Sequence, residues 1–403
     1  MPVLQSLVVF SHRRWSGFYQ RPQHLLTRLA RRWPVVYVEE PVPGSDADRL
    51  EVFEPAAGVQ VWRPHVTGAA EGFHDEHLPV LKQLVADAVR ERGIRDAWLW
   101  FYTPMALPLA GELRPRGIVY DCMDELSHLR DAPGQLVQRE NALFKVADLV
   151  FTGGPSIHKA KRSRHPDVHC FPGSVDAAHF ERIGGEHPLH ADIPRPRIGY
   201  SGVIDRRINL VLLDAIAKAR PEWNFVMVGP LAGIDAAALP RPDNIHWLGP
   251  QSWDDLPKFI KGWDVCLMPF ALNEATRSIS PNKTLEYMAC GRPAVSTSIR
   301  DIVEPYGHVL RIADTPEGFI ADIEMLLARP REEQERHARE LKAIAARTSW
   351  DGTAGAIAEL IAQADELVGA GAQIATPQSR PIDMPAMPLP RVDSGAQRAA
   401  AAG

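Results

Sequence analysis

The sequence predicts an α/β protein of two doubly wound domains facing a central cleft. Short, continuously apolar segments alternate with amphipathic ones along most of the 403 residues, the pattern of parallel strands covered by helices on both faces. The alternation forms two series, and it lapses between them in HPLHADIPRPR, residues 187–197, where proline and histidine accumulate. A chain of this length also suits two domains better than one.

In the first series, strands are expected at 7–10, 35–39, 97–102, 118–120, 149–152 and 168–171, with helices at 23–32, 79–92 and 135–146. In the second, strands are expected at 198–200, 225–228, 245–248, 265–268 and 294–296, with helices at 209–219, 253–263, 284–289 and 316–327. After Trp350 the run AGAIAELIAQADEL predicts one further helix, expected to pack back toward the N-terminal domain. From about residue 373 the chain is rich in Pro, Ala and Ser without an apolar face, which reads as a disordered tail. The expected division is 1–186, 187–348, 349–372 and 373–403.

Composition narrows the function classes. A hydrophobic share of 45% with 24% charged residues is that of an ordinary globular protein, and a net charge of −5 argues against a general nucleic-acid binder. Cys122, Cys170, Cys266 and Cys290 are scattered, which suits a reducing compartment and offers neither a disulfide framework nor a structural zinc site. The start, MPVLQSLVVFSH, lacks the features of a secretory signal, and no apolar run approaches the roughly 20 residues of a membrane helix. The expected location is the cytoplasm, with peripheral contact at the inner face of the membrane left open. Six arginines (13, 14, 21, 28, 31 and 32) and no acid lie in residues 1–34, so that segment is either an attractor for anionic lipid or a lipid-phosphate acceptor, or a solvated basic face.

Three stretches carry chemistry. In SPNKTLEYMACGRPAVST, residues 280–297, Ser280 is a good N-cap and Pro281 suits the first helical position. A helix start attracts anions, and Lys283 adds a full charge there. Glu286, on the same helix face, suits a ligand that also presents a diol, so the two would grip a diphosphate and a ribose together. Read as surface residues, they are an i,i+3 ion pair worth about 0.2–0.5 kcal/mol. In IGYSGVIDRRINL, residues 198–210, Gly202 permits a tight turn after a strand, and Arg206 and Arg207 follow where a ligand-binding arginine belongs. One of the two is expected to be solvated. In GIVYDCMDELSHL, residues 117–129, Asp121, Asp124 and Glu125 cluster at a strand end before His128, a set that suits metal ligation or contact with sugar hydroxyls. Asp121, nearest the strand, is expected to face the reaction, and Asp124 and Glu125 are alternative helix caps.

Taken together, YSGVIDRR, VMVGP, NIHWLGP, MPFALNEATRSISPNKTLEYMACGRPAVST and FPGSVDAAHF resemble retaining glycosyltransferases of the GT-B fold, of the bacterial family 4, group 1 type, over about residues 1–368. The resemblance implies two Rossmann-like domains and a UDP- or GDP-sugar donor. It also implies a glycan or lipid-linked acceptor, no catalytic metal and no separate cofactor. Carried over by position, it implies that Arg207 and Lys283 bind the diphosphate beside Ser280, and that Glu286 contacts the ribose. Gly229 and Gly249 would lie in loops near the base, and Gly17, in SHRRWSGFYQRPQHLL, would approach the ligands from across the cleft. FPGSVD, residues 171–176, has Gly173 and Ser174 where Asn-Gly is usual. The usual signature has a second glutamate eight positions before Glu286, where this chain has Ser278. Glu274 is the nearest acid to face the donor sugar, with Asn273 and Thr276 beside it. The implied activity is sugar transfer in cell-envelope or exopolysaccharide synthesis. The alternatives are a sugar-nucleotide epimerase of the same fold, or a nucleotide-sugar-binding protein that Ser278 has left inactive.

Overall fold

The computed structural model describes residues 6–17, 19–126, 134–182 and 184–369. His128 and the tail expected from 373 lie outside the described residues.

The N-terminal lobe is built on β1 (Ser6–Ser11), β2 (Val35–Glu39), β3 (Arg49–Ala56), β4 (Val59–His65), β5 (Ala97–Phe101), β6 (Gly117–Cys122), β7 (Leu149–Thr152) and β8 (Val168–Cys170), ordered β3-β4-β2-β1-β5-β6-β7-β8. All pairs are parallel except β3 with β4. Its helices are α1 (Arg21–Leu29), α2 (Leu78–Glu91), α3 (Leu136–Val146) and α4 (Pro155–Lys161), while α5 (Ala177–Glu181), past the crossing, packs on the second lobe with Phe180 in its core.

The C-terminal lobe carries β9 (Arg197–Ser201), β10 (Asn224–Val228), β11 (Ile245–Gly249), β12 (Val265–Met268), β13 (Ala294–Ser296) and β14 (Arg311–Ile312), a parallel sheet ordered β11-β10-β9-β12-β13-β14. Around it lie α6 (Leu210–Ala219), α7 (Leu256–Lys261), α8 (Lys283–Ala289), α9 (Arg300–Tyr306), α10 (Pro316–Leu327) and α11 (Arg331–Ala345). In both sheets the order reverses beside the first strand of the lobe, which opens a crevice at the strands' carboxyl ends.

The last helix, α12 (Trp350–Gly369), returns to the N-terminal lobe. Ala354, Ile357 and Ile361 join the core formed by Leu25, Trp33 and Trp98, and each buried isoleucine contributes about 1.5–3 kcal/mol. Asp365 accepts the Trp98 indole N–H at 2.9 Å and pairs with Arg116.

Several local expectations are corrected. The helix expected from 253 begins as a 3₁₀ turn, Trp253–Asp255, with α-helix only from Leu256. The helix expected to be capped by Ser280 starts at Lys283, with Asn282 in the cap position. The cationic N-terminal segment is not a free positive face. Arg13 meets Asp124, Arg14 meets Glu39, Arg21 meets Asp121, and Arg28 and Arg31 share Asp351, while Arg32 lies over Trp33. Much of its charge is thus paired within the fold, with Arg31 still 72% exposed. Among the described residues no helix is long and apolar enough to cross a membrane.

Candidate active site in the interlobe cleft

The crevices of the two sheets face each other around a cavity of about 270 Å³. Its C-terminal wall is layered. The Gly202 N–H donates to the Val228 carbonyl and the Gly229 N–H to that of Gly249, both at 2.9 Å, so the turns after β9, β10 and β11 stack closely. Gly229 has φ +148°, and a Cβ there would overlap the Gly202 carbonyl oxygen. Gly229→Ala is therefore expected to cost about 1–3 kcal/mol in stability, read by urea unfolding, and to displace the turn beneath any ligand. Gly249 (φ +68°) supports this layer from behind and does not line the cavity.

Beside the glycines, α8 presents Lys283 and Glu286 to the cavity. The helix is tied to the sheet because the Ser201 N–H donates to the Tyr287 hydroxyl at 2.9 Å. A Cβ on Gly202 would lie 2.8 Å from Lys283 Nζ, so only glycine leaves the lysine its place. The ammonium lies over the rings of Tyr200 and Phe270, at 5.4 and 5.7 Å from their centroids. Burial lowers its pKa from 10.5 to about 8, with Arg207 adding to the effect and Glu286 opposing it. Burial likewise pushes the Glu286 carboxyl up, against the pull of Lys283. Neither side chain makes a hydrogen bond or ion pair with a described residue. Two ionisable groups are thus held side by side in a cavity without partners, an arrangement that costs stability unless a ligand completes it.

Arg207 lines the same cavity with its guanidinium held by the Asp205 carboxylate, Nε at 3.0 Å and Nη2 at 2.6 Å. Arg206 is exposed. Ser280 also lines the cavity, and Gly154 and Gly173 of the N-terminal half pack against Ser280 and Asn282, where a Cβ would collide with each.

On the N-terminal wall the acids rearrange. Asp121 is fully buried and absent from the cavity lining, because Arg21 holds both its oxygens at 3.1 Å. A carboxylate so occupied cannot face a reacting sugar, so its expected placement is corrected. Asp124 lines the cavity instead, at 36% exposure with Arg13 at 2.8 Å. Glu125 pairs with Lys161 at 2.8 Å. Among the described residues no group of three His, Cys, Asp or Glu side chains is disposed to hold a metal ion.

Two other expected residues are also displaced. Glu274 sits on a 3₁₀ turn, 71% exposed and 3.6 Å from Arg277, and lines a neighbouring hollow rather than the cavity. Thr276 beside it is buried and bonded to the Ala271 carbonyl. Gly17 is exposed in a turn closed by its N–H to the Arg14 carbonyl at 3.1 Å, and the cavity is lined instead by Tyr19, Gln20 and Arg21. The reading of the residues missed Gln251, Trp253 and Trp350, which line the cavity where Trp253 stacks on His179 and leans on Tyr19. Tryptophans opening a 3₁₀ turn and a helix, and a lone glutamine, give only a weak signal of this.

Residues 195–329 match the family model described as Glycosyl transferases group 1. Over 301 residues the chain is 27% identical to a protein of Bacillus subtilis (strain 168) named as a teichuronic acid biosynthesis glycosyltransferase, TuaH, covering 68% of this chain and 73% of that one. Sucrose-phosphate synthase from Thermosynechococcus elongatus is similar in structure at a TM-score of 0.66 and 16% identity, covering 89% of this chain and 98% of that one. The Anabaena protein HepE, solved in complex with UDP-glucose, is similar at a TM-score of 0.65 and 15% identity, covering 89% and 99%. The structural likenesses establish a shared two-lobed fold, and the family match falls on the lobe that carries Arg207, Lys283 and Glu286. The C-terminal lobe thus carries a group 1 glycosyltransferase domain, and the chain as a whole has the two-lobed GT-B fold.

Proposed function

We propose that the protein moves a sugar from a nucleoside-diphosphate sugar to an acceptor hydroxyl with retained configuration and without a metal, in the assembly of a cell-envelope or extracellular glycan. The observation that carries this reading is the unpartnered pair Lys283 and Glu286 at the cavity floor, beside Gly202 and Arg207. The diphosphate supplies the anion that Lys283 lacks, and the ribose diol supplies donors to Glu286. HepE, solved with UDP-glucose, supports a donor of this class. In the reaction the bond from the anomeric carbon to the diphosphate oxygen breaks and the acceptor oxygen bonds to that carbon on the same face. The acceptor proton passes to the leaving diphosphate, whose growing charge Lys283 and Arg207 stabilise. Closure of the lobes excludes the water that would hydrolyse the donor.

The test is a thermal-shift series with UDP- and GDP-sugars, since a ligand that binds only the folded protein raises its melting temperature. Glu286→Gln is expected to weaken donor binding by about 10–100-fold, the worth of hydrogen bonds to a charged acceptor, while a 2′,3′-dideoxy donor binds wild type and variant alike. No shift with any sugar nucleotide would defeat the reading. Conversion of the sugar nucleotide without an acceptor would replace it with epimerisation.

A further inference from the structure

The loops at the carboxyl end of the C-terminal sheet follow the strand order β11-β10-β9-β12-β13. The cavity described above occupies the first part of this row, from Gln251 after β11 through Gly229 and Arg207 to Ser280. A second, wider hollow of about 620 Å³ continues it, over the loop after β12 at Asn273 and Ser278 and the loop after β13 at Ser298. Its opposite wall comes from the N-terminal lobe, with Glu125 after β6 and Lys159 on α4. The hollows are neighbours on both walls, because Asp124 and Ser280 line one while Glu125 and Ser278 line the other.

A nucleotide laid along this row with its base toward β11 and its diphosphate at Lys283 ends with its sugar where the hollows meet. The acceptor then has the outer hollow to occupy. The charges there are unevenly committed. Glu125 is engaged by Lys161 at 2.8 Å, whereas Lys159 is exposed and makes no ion pair or hydrogen bond with a described residue. Arg277 is 72% exposed, and its ion pair among the described residues is with Glu274, at 3.6 Å, which water screens until it contributes little. A cation on each lobe therefore faces the hollow with little to hold it.

We infer that the outer hollow is the acceptor subsite and that it takes a sugar chain bearing anionic groups, with Lys159 and Arg277 as the residues that read them. This rests on the transferase reading above.

The test is a second thermal-shift series at saturating sugar nucleotide, with three probes: a galacturonate hexamer, a phosphorylated mannose pentamer and neutral maltohexaose. At least one anionic chain is expected to raise the melting temperature above the donor-alone value, and maltohexaose is not. The larger of the two anionic rises identifies carboxylate or phosphate as the group read. A double variant, Lys159→Glu with Arg277→Glu, is expected to keep the donor shift and bind the anionic chain about tenfold more weakly, whereas Lys159→Arg keeps the affinity. Equal rises with all three probes would overturn the inference, as would none with the donor shift intact, or unchanged affinity in the double variant. Absence of the donor shift itself counts against the transferase reading instead.

Discussion

Replacing Lys283 with methionine is expected to raise the melting temperature while slowing sugar transfer by about 10²–10³-fold, the usual loss when one group that stabilises a leaving anion is removed. Both effects have the same origin. Burial holds the ammonium at a pKa of about 8, against an ordinary 10.5, so the folded state disfavours the charged form. Between those two values the unfolded chain binds more protons than the folded one, so stability from this residue rises with pH across the window. The penalty is complete below about pH 8 and gone above 10.5. Methionine is unbranched and one atom shorter, and it removes the charge, which lifts the penalty at neutral pH. Donor affinity runs the opposite way, because only the protonated lysine attracts diphosphate. Titrating donor binding from pH 7 to 10 is therefore expected to show a fall that begins near pH 8 in wild type and is absent in the variant. A Lys283→Met protein with normal transfer and an unchanged melting temperature would contradict both halves of this account.

Breaking the buried pair between Arg21 and Asp121 is expected to have the largest effect on stability. Arg21→Ala leaves the carboxylate, fully buried at the end of β6, without its partner, and removing one member of such a pair costs about 3–5 kcal/mol. The guanidinium also donates to the Phe171 carbonyl at 2.7 Å, so the same change loosens the segment that crosses between the lobes. Arg21→Met combined with Asp121→Leu is expected to be milder than either single truncation, because both charges leave together. Urea unfolding measures this, and kcat separates it from chemistry. Under this account Asp121→Asn lowers the unfolding midpoint and changes kcat only modestly. A collapse of kcat with an unchanged midpoint would restore Asp121 to the reacting centre.

The contrast between the two lobes explains what could be read from the chain. Lys283 and Glu286 stand at a helix start that the spacing marks, but that spacing fits a surface ion pair equally well, and only the family resemblance separates Arg207 from Arg206. Central strands such as β2, β7, β12 and β13 were readable to the residue because burial on both faces demands unbroken apolar runs. The hairpin of β3 and β4 escaped because RLEVFEPA is a half-exposed edge strand with charges mixed into it. Helix α11, whose buried residues are Leu341 and Ala345, has almost no apolar stripe to reveal it. The arginines of the first segment misled for a different reason. Arg13 finds Asp124 at a separation of 111 residues and Arg31 finds Asp351 at 320, so a local count of charge could not register their neutralisation. Asp121 failed in the same way: a strand-end acid looks available until the helix that buries it is in place.

The return of α12 has a practical meaning for anyone recombining such enzymes. The polypeptide enters the first lobe, leaves it near residue 176, and comes back at Trp350 to insert Ile357 and Ile361 among residues from the opening helix and β5. A chimera that exchanges sugar-nucleotide specificity therefore needs two junctions, one on either side of an inserted cassette. A single splice would graft a foreign terminal helix onto an N-terminal scaffold whose apolar groove was shaped for another.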